Sequence, residues 1–482
     1  MRLLSLGLLL SGLLVSAAPA PKDPPGAPAA LKAQVSQNLD AAYPAYRDLA
    51  QQIWGFAEVG YKEKRSSALL QQTLRNAGFT VEAGVADIPT AFVATYGSGQ
   101  PVIGLLAEFD ALPGLSQQAT PTKQAVAGQD AGHGCGHHLF GAASVAAGVE
   151  LQKLLAAGKL KGTVKVYGTP AEEGGSGKVY MVRAGLFRGV DAVLHWHPAN
   201  ENRAMLNNYL ANTSAKFRFR GVSAHAAMSP ERGRSALDGV EALNHMVNLM
   251  REHVPQETRL HYVITSGGKA PNVVPDYAEV YYYVRHPRKD EVKAIFERVV
   301  KAAEGAALGT GTTMEYELIG GTHDLLLNET LARALQQNLL RVGGVRYTPA
   351  EQAFGQQIQA SLGFAAPPLE AAAQIGPYQM HEGGGSTDVG DVSYVVPTVG
   401  LEAATWVPGT PAHSWQAVAC GGTEIGSKGM LVAAKTLALT GLDLFTTPAL
   451  LRQAHEEFRQ DVGAYQYRPL LGSRAPALNY RD

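Results

Sequence analysis

The sequence predicts an α/β protein built on one open sheet, with a second, smaller domain inserted into it. Three observations carry this. Val102 to Ala107 is almost continuously apolar, as expected of a central strand buried on both faces. It runs into Glu108-Phe109-Asp110, and the C-terminal edge of buried strands is where open α/β sheets place ligands. Thr163 to Tyr167 and Asp191 to Leu194 repeat the pattern, each strand followed by polar residues. Between Asn212 and Gly320 the order changes to βαββαβ, a split βαβ sandwich of ferredoxin-like type, after which helix and strand signals of the first kind resume.

Taken in order, Arg2, the apolar run Leu3 to Val15 and Ala18-Pro19-Ala20 read as a signal peptide over residues 1–20. The expected mature chain starts near Pro21 and is exported, to the periplasm or the extracellular medium. A Pro/Ala-rich leader is expected to about Ala30. Leu49 to Gly60 reads as a helix and turn. Ser66 to Ala77 has helical spacing through Leu69, Leu70 and Leu74, with Gly78 as its stop. Ala91 to Tyr96 reads as a strand, and Leu139 to Ala156 as a helix.

Within the insertion, Ala215 to Arg220, Leu260 to Thr265, Tyr277 to Arg285 and Thr313 to Leu318 are the strands. Ser235 to Met250 and Asp290 to Ala303 are amphipathic helices. Hinges are expected near Asn212 and Gly320. Beyond them, Asn328 to Val342 and Glu424 to Leu439 read as helices and Thr398 to Ala404 as a strand. Thr447-Pro448 opens one more helix. Residues 349–379 read as irregular, Gly383 to Asp388 as a flexible loop, and Ala464 to Asp482 as a loosely attached extension. The resulting plan is a catalytic domain in two parts, 31–211 and 321–445, an insertion over 212–320, and an extension over 446–482.

A net charge of -1 leaves no electrostatic footprint for nucleic acid or an acidic membrane surface. Two cysteines, Cys135 and Cys420, provide no disulfide framework. Cys420 is read as a structural thiol.

Chemistry concentrates in Gly132-His133-Gly134-Cys135-Gly136-His137-His138. Thiolate and imidazole are strong ligands for borderline divalent metals, and interleaved glycines let the backbone turn tightly enough for nearby side chains to converge. A polar loop with a buried Cys is the plainer alternative. Glu172 and Glu173 follow a strand side by side. Adjacent carboxylates repel unless something positive stands beside them, so a metal could take one while the other faces substrate; a solvated acidic turn is the other reading. His195 and His197, two apart on an extended segment, point the same way, and either could reach a metal. Gly177-Lys178-Val179 lacks the Ser/Thr of a phosphate loop and is rejected as one.

Together these motifs resemble metallopeptidase family twenty, subfamily D: Ala107 to Pro113, His133 to His137, Pro170 to Gly174, Gly221 to Ala226, and the late His413. The wording around Cys135 and Trp196-His197-Pro198 is most similar to the p-aminobenzoyl-glutamate hydrolase branch. The resemblance implies a phosphorylase/hydrolase-like catalytic domain with a ferredoxin-like lid and dimerisation domain, hence a homodimer. It also implies two divalent ions, zinc or manganese, with cobalt or nickel admitted by the same ligands. Cys135 would bridge them, His137, Glu173, His197 and His413 would complete the ligand set, and His197 is chosen over His195 because it keeps the family's spacing. Glu172 would be the general base, and Asp110 would orient a ligand histidine. His225 would reach an active site, usually the partner's, and steady the oxyanion. Asn272 and Arg285 are candidates for the substrate carboxylate, with ordinary turn and strand-end roles as the alternative. His138 stands where the family usually has Asp or Asn, and is read as a satisfied surface or core histidine.

The expected activity is hydrolysis of N-acyl or N-aroyl amino acids. A dipeptidase or carboxypeptidase is the nearest alternative and requires an acidic group for the substrate ammonium. A non-catalytic binding relative would lack a ligand or the base. A Cys135–His137 thiol enzyme would need neither the Glu pair nor His413.

Overall fold

The computed structural model describes residues 26–481 apart from 208, 382 and 383. The expected signal peptide lies outside the described residues.

The larger sheet has seven strands in the order β1-β2-β4-β3-β5-β11-β6. These are β1 (Thr80–Ala83), β2 (Phe92–Ser98), β3 (Val102–Ala107), β4 (Gly162–Gly168), β5 (Ala192–Ala199), β6 (Arg203–Ala204) and β11 (Thr398–Ala404). The middle of the sheet is parallel, β4 and β5 flanking β3 and β11 flanking β5, while β1, β2 and β6 join antiparallel at the edges. The carboxyl ends of β3, β4, β5 and β11 therefore open on one side, where parallel strands deliver functional groups. The helices Ala29–Phe56, His137–Ala156 and Glu424–Thr446 pack on one another. The last two are long and apolar enough to cross a membrane, yet both are mostly buried in the fold and serve as core helices.

The smaller sheet is antiparallel, in the order β10-β7-β9-β8. It comprises β7 (Ala211–Arg220), β8 (Arg259–Ser266), β9 (Tyr277–His286) and β10 (Thr313–Thr322). Helices Ala236–Met250 and Lys289–Thr310 cover one face and build a second core around Phe217, Phe219, Val240 and Val299. β7 and β10 pair back to Asn212↔Thr322, so both connections to the larger domain leave side by side.

Three expectations change. The first helix begins at Ala29, not near Leu49, and continues through Pro44; its buried face of Val35, Leu39, Leu49, Ala50 and Ile53 outweighs the proline's local penalty. Residues 349–379 are not wholly irregular. Pro349–Ala360 is a helix whose capping box joins Thr348 and Glu351. The segment after Ala464 is not loose. The Tyr467 hydroxyl donates to Asp391 Oδ1 at 2.8 Å, Tyr465 pairs with His323 at 2.7 Å, and Leu471 is buried. Aromatic and leucine side chains in a Pro-rich stretch are enough to anchor it without regular structure.

Candidate active site

Gly136 has φ +77° and opens the helix His137–Ala156. A Cβ there would sit 2.7 Å from Pro198, so the backbone passes closer to β5 than any other residue allows. This turn brings Cys135 Sγ to 3.4 Å from His197 Nε2. His197 Nδ1 lies 2.7 Å from the Pro198 carbonyl, which can only accept, so Nδ1 carries the proton and Nε2 keeps its lone pair facing Cys135. His195 points elsewhere, against Gly400, where a Cβ would come within 2.4 Å of its ring.

Asp110 couples two of the predicted ligands. Its Oδ1 lies 2.8 Å from His137 Nδ1, and its Oδ2 accepts from the Glu173 backbone N–H at 2.9 Å. The turn carrying Glu172 and Glu173 is strained, with non-glycine residues Ala171 and Ser176 at φ 58° and 59°. Across it, His413, itself at φ 56°, brings Nε2 to 3.2 Å from Glu173 Oε1. Three groups of ligand atoms each lie within 4.8 Å of one another: Cys135–His137–His197, Cys135–Glu173–His413 and His137–Glu172–Glu173. Cys135, His137 and Glu173 each recur in two of these groups, which is the pattern of two adjoining cation positions.

The electrostatics fit that donor set. Burial and then Glu108 and Glu173 hold Glu172 well above the usual carboxylate range. Burial and then Glu173 push the Cys135 thiol up. Burial favours neutral His137, but Glu108, Asp110 and Cys135 together draw it well above its ordinary value. His137 Nε2 and Glu173 Oε1 are buried without a hydrogen-bond partner. A divalent cation relieves each of these at once, by stabilising thiolate and carboxylate and taking the imidazole lone pair.

Sequence reasoning missed two supporting residues. Lys178 is fully buried, with Nζ 2.7 Å from Glu108 Oε1 and 2.6 Å from Asp388 Oδ1. Asp388 Oδ2 also accepts the Lys178 backbone N–H at 2.9 Å. Asp388 thus belongs to the buried support and not to a flexible loop; Gly383, at the start of that expected loop, lies outside the described residues. The only sequence signal was a lysine just beyond a Glu-Glu-Gly-Gly turn. His138 is a core histidine, its Nε2 3.0 Å from the Gly421 carbonyl and its ring against His133.

The site opens into a cavity of about 660 Å³, lined among others by Cys135, Glu172, Glu173, His197, His413 and Arg285. Arg285 reaches it from β9. His225 and Asn272 do not line it: both are exposed, side by side in the inserted domain, where the His225 strand segment bridges to Val273.

The comparisons with known proteins fall on both domains. Residues 212–310 match the model of a peptidase dimerisation domain. A p-aminobenzoyl-glutamate hydrolase polypeptide of Escherichia coli (strain K12) is 42% identical over 462 residues, covering 90% of this chain and 96% of that protein. The chain belongs to metallopeptidase family twenty. A Xaa-Arg dipeptidase of Mus musculus is 31% identical over 447 residues, covering 89% of this chain and 92% of the relative. A dinuclear metal-binding peptidase of the same family from Bacillus subtilis shares the fold, with TM-score 0.59, 17% identity, and coverage of 85% of this chain and 99% of that one. This family-twenty chain is accordingly a hydrolase of amide bonds with a candidate metal site at the strand ends.

Proposed function

We propose that this chain is an exported, homodimeric amidohydrolase that cleaves N-acyl or N-aroyl amino acids, p-aminobenzoyl-glutamate among them. The observation that carries the reaction is the pair of ligand groups sharing Cys135, with Glu172 at their edge. In this reading Cys135 bridges two divalent ions, zinc or manganese, His137, Glu173, His197 and His413 hold them, and Asp110 aligns His137. When bound, the ions supply a Lewis acid for the amide carbonyl and make water acidic enough to lose a proton near neutral pH. Glu172 accepts that proton and returns it to the departing nitrogen. Its burial beside other carboxylates suits a base that must also act as an acid.

The mouse relative supports a dipeptidase as the second reading. That reaction needs a free carboxylate for the substrate ammonium. The cavity's candidate, Glu402, is instead held by Arg203 at 2.5 Å and Asn207 at 3.1 Å, which favours a substrate with an acylated nitrogen.

The homodimer is supported by an apolar strip on the inserted domain. Leu249 on its first helix and Tyr262, Val263 and Ile264 on the edge strand β8 are exposed, and an edge strand offers unpaired backbone groups to a second copy. The exposed His225 would then serve the partner's cavity. Sedimentation of the purified chain tests this; a monomer, or assembly only with a different related chain, refutes it. Export is tested by the N-terminal residue of the protein recovered from the native host, expected near Pro21.

The decisive assay is amine release from a panel of N-acyl and N-aroyl amino acids and dipeptides, with manganese- or zinc-loaded protein. Turnover on acylated substrates that disappears in Glu172→Gln supports the reading. Turnover on dipeptides alone, or none with metal bound, removes it.

A further inference from the structure

The segment after helix Pro448–Val462 returns across the junction of the two domains. The Arg474 guanidinium donates to the Leu318 and Ile319 carbonyls and lies 3.2 Å from Glu317. Arg183 reaches back to the Arg474 carbonyl at 2.7 Å. Leu470 and Leu471 press on Gly321, where a Cβ would stand 2.8 Å from the Leu471 nitrogen. Tyr480 meets Tyr61 edge-on at 5.6 Å and donates to the Glu173 carbonyl at 3.0 Å. Arg481 follows. Its Nη2 donates to that same carbonyl at 2.6 Å, and its guanidinium stands on the cavity wall. The segment is therefore a fixed strap that delivers a cation beside the Glu172-Glu173 turn.

The charge balance of the cavity gives that cation a role. Of its acidic groups, Glu108 and Asp388 share Lys178, Glu402 is held by Arg203, and Glu172 and Glu173 belong to the ligand groups. Arg285 and Arg481 line the same cavity, and among the described residues neither is ion-paired to a carboxylate; the Nε of each is buried without an acceptor. They come from different parts of the chain yet share a wall. Arg285 lies 5.2 Å from the Tyr283 ring, and the Tyr283 hydroxyl is 3.3 Å from that of Tyr281. Burial raises the Tyr281 hydroxyl, and the Arg481 charge is among the groups that oppose the rise. A desolvated guanidinium without an acceptor is costly, and its fork matches a carboxylate in a bidentate pair.

We propose that Arg481 is a specificity-determining residue: together with Arg285 it forms a two-guanidinium subsite that selects amide substrates bearing two carboxylates, the N-acyl derivatives of acidic amino acids. This rests on the amidohydrolase reading above and adds the group that reads the amino acid's side chain. One guanidinium meets the α-carboxylate and the other the side-chain carboxylate, so a neutral amino acid leaves one cation unmatched.

The test compares wild type, Arg481→Gln and Arg481→Lys, with melting temperature as the check on folding. The glutamate-to-alanine ratio of kcat/KM, measured on p-aminobenzoyl-glutamate and p-aminobenzoyl-alanine, is expected to fall roughly ten- to hundredfold in Arg481→Gln, mainly through KM. Arg481→Lys, which keeps the charge but loses the fork, is expected to fall between the two. Calorimetric titration with glutarate and butyrate reads the same subsite without turnover, and glutarate should lose its preference in Arg481→Gln. An unchanged substrate ratio and unchanged glutarate preference overturn the proposal and leave Arg481 a brace on the Glu173 carbonyl. Absent amide turnover together with Arg481-dependent glutarate binding sinks the reaction and leaves the subsite standing.

Discussion

The two domains handle charge in opposite ways. In the larger one, Glu108, Asp110, His137, Lys178 and Asp388 are all buried within hydrogen-bonding reach of one another at the ends of β3 and β4. In the inserted one, Arg220 and Glu315 pair at 3.3 Å across β7 and β10 with both side chains 60% exposed. The first arrangement is held by packing and is complete within one chain. The second is solvated, and the functional candidates near it, His225 and Asn272, face outward. The difference teaches that burial, not residue type, decides which charges are committed to a site: a buried charge must be matched on the spot, whereas an exposed one is screened and free to meet a partner.

Four substitutions would break or sharpen this contrast. The largest effect is expected from Glu172→Gln, which should lower kcat by about 10²–10⁴-fold while metal content, measured by atomic emission, stays at the wild-type level. A proportional loss of metal would instead make Glu172 a ligand. Next, Lys178→Met leaves Glu108 and Asp388 buried without their cation, and denaturant unfolding should register a loss of about 3–5 kcal/mol. Asp110→Asn removes an acceptor that serves both His137 and the Glu173 N–H; metal affinity in a competitive chelator titration should weaken by roughly 10–100-fold. The smallest effect belongs to the inserted domain, where Arg220→Ala should change unfolding free energy by less than about 1 kcal/mol, an effect that fades further in high salt. A cost as large as that of Lys178→Met would end the distinction between the two domains.

Much of the fold was legible because it rests on local signals. The apolar run of β3, the alternation in β7 around Phe217 and Phe219, and the stripe of Val240, Leu243 and Val247 each report one buried face. The helix Ala29–Phe56 was harder, because Pro44 reads as a stop and only the hydrophobic core beneath it overrides that signal. The helix Pro349–Ala360 did carry a readable one, the Thr348-Pro349-x-Glu351 capping pattern. Of the site, the dense His-Cys-His loop and the Glu pair announce metal chemistry by composition alone, since such residues are costly to bury without a cation.

What the sequence determined by itself is therefore the set of elements, the presence of an inserted domain and the chemical type of the site. Tertiary structure decided which residues complete it. Lys178 and Asp388 are 210 residues apart, and Arg481 stands 308 from the Glu173 carbonyl it contacts. No local periodicity encodes such pairs. They exist because a parallel sheet gathers the ends of distant strands on one side, and because burial there requires each charge to find its partner wherever the chain returns.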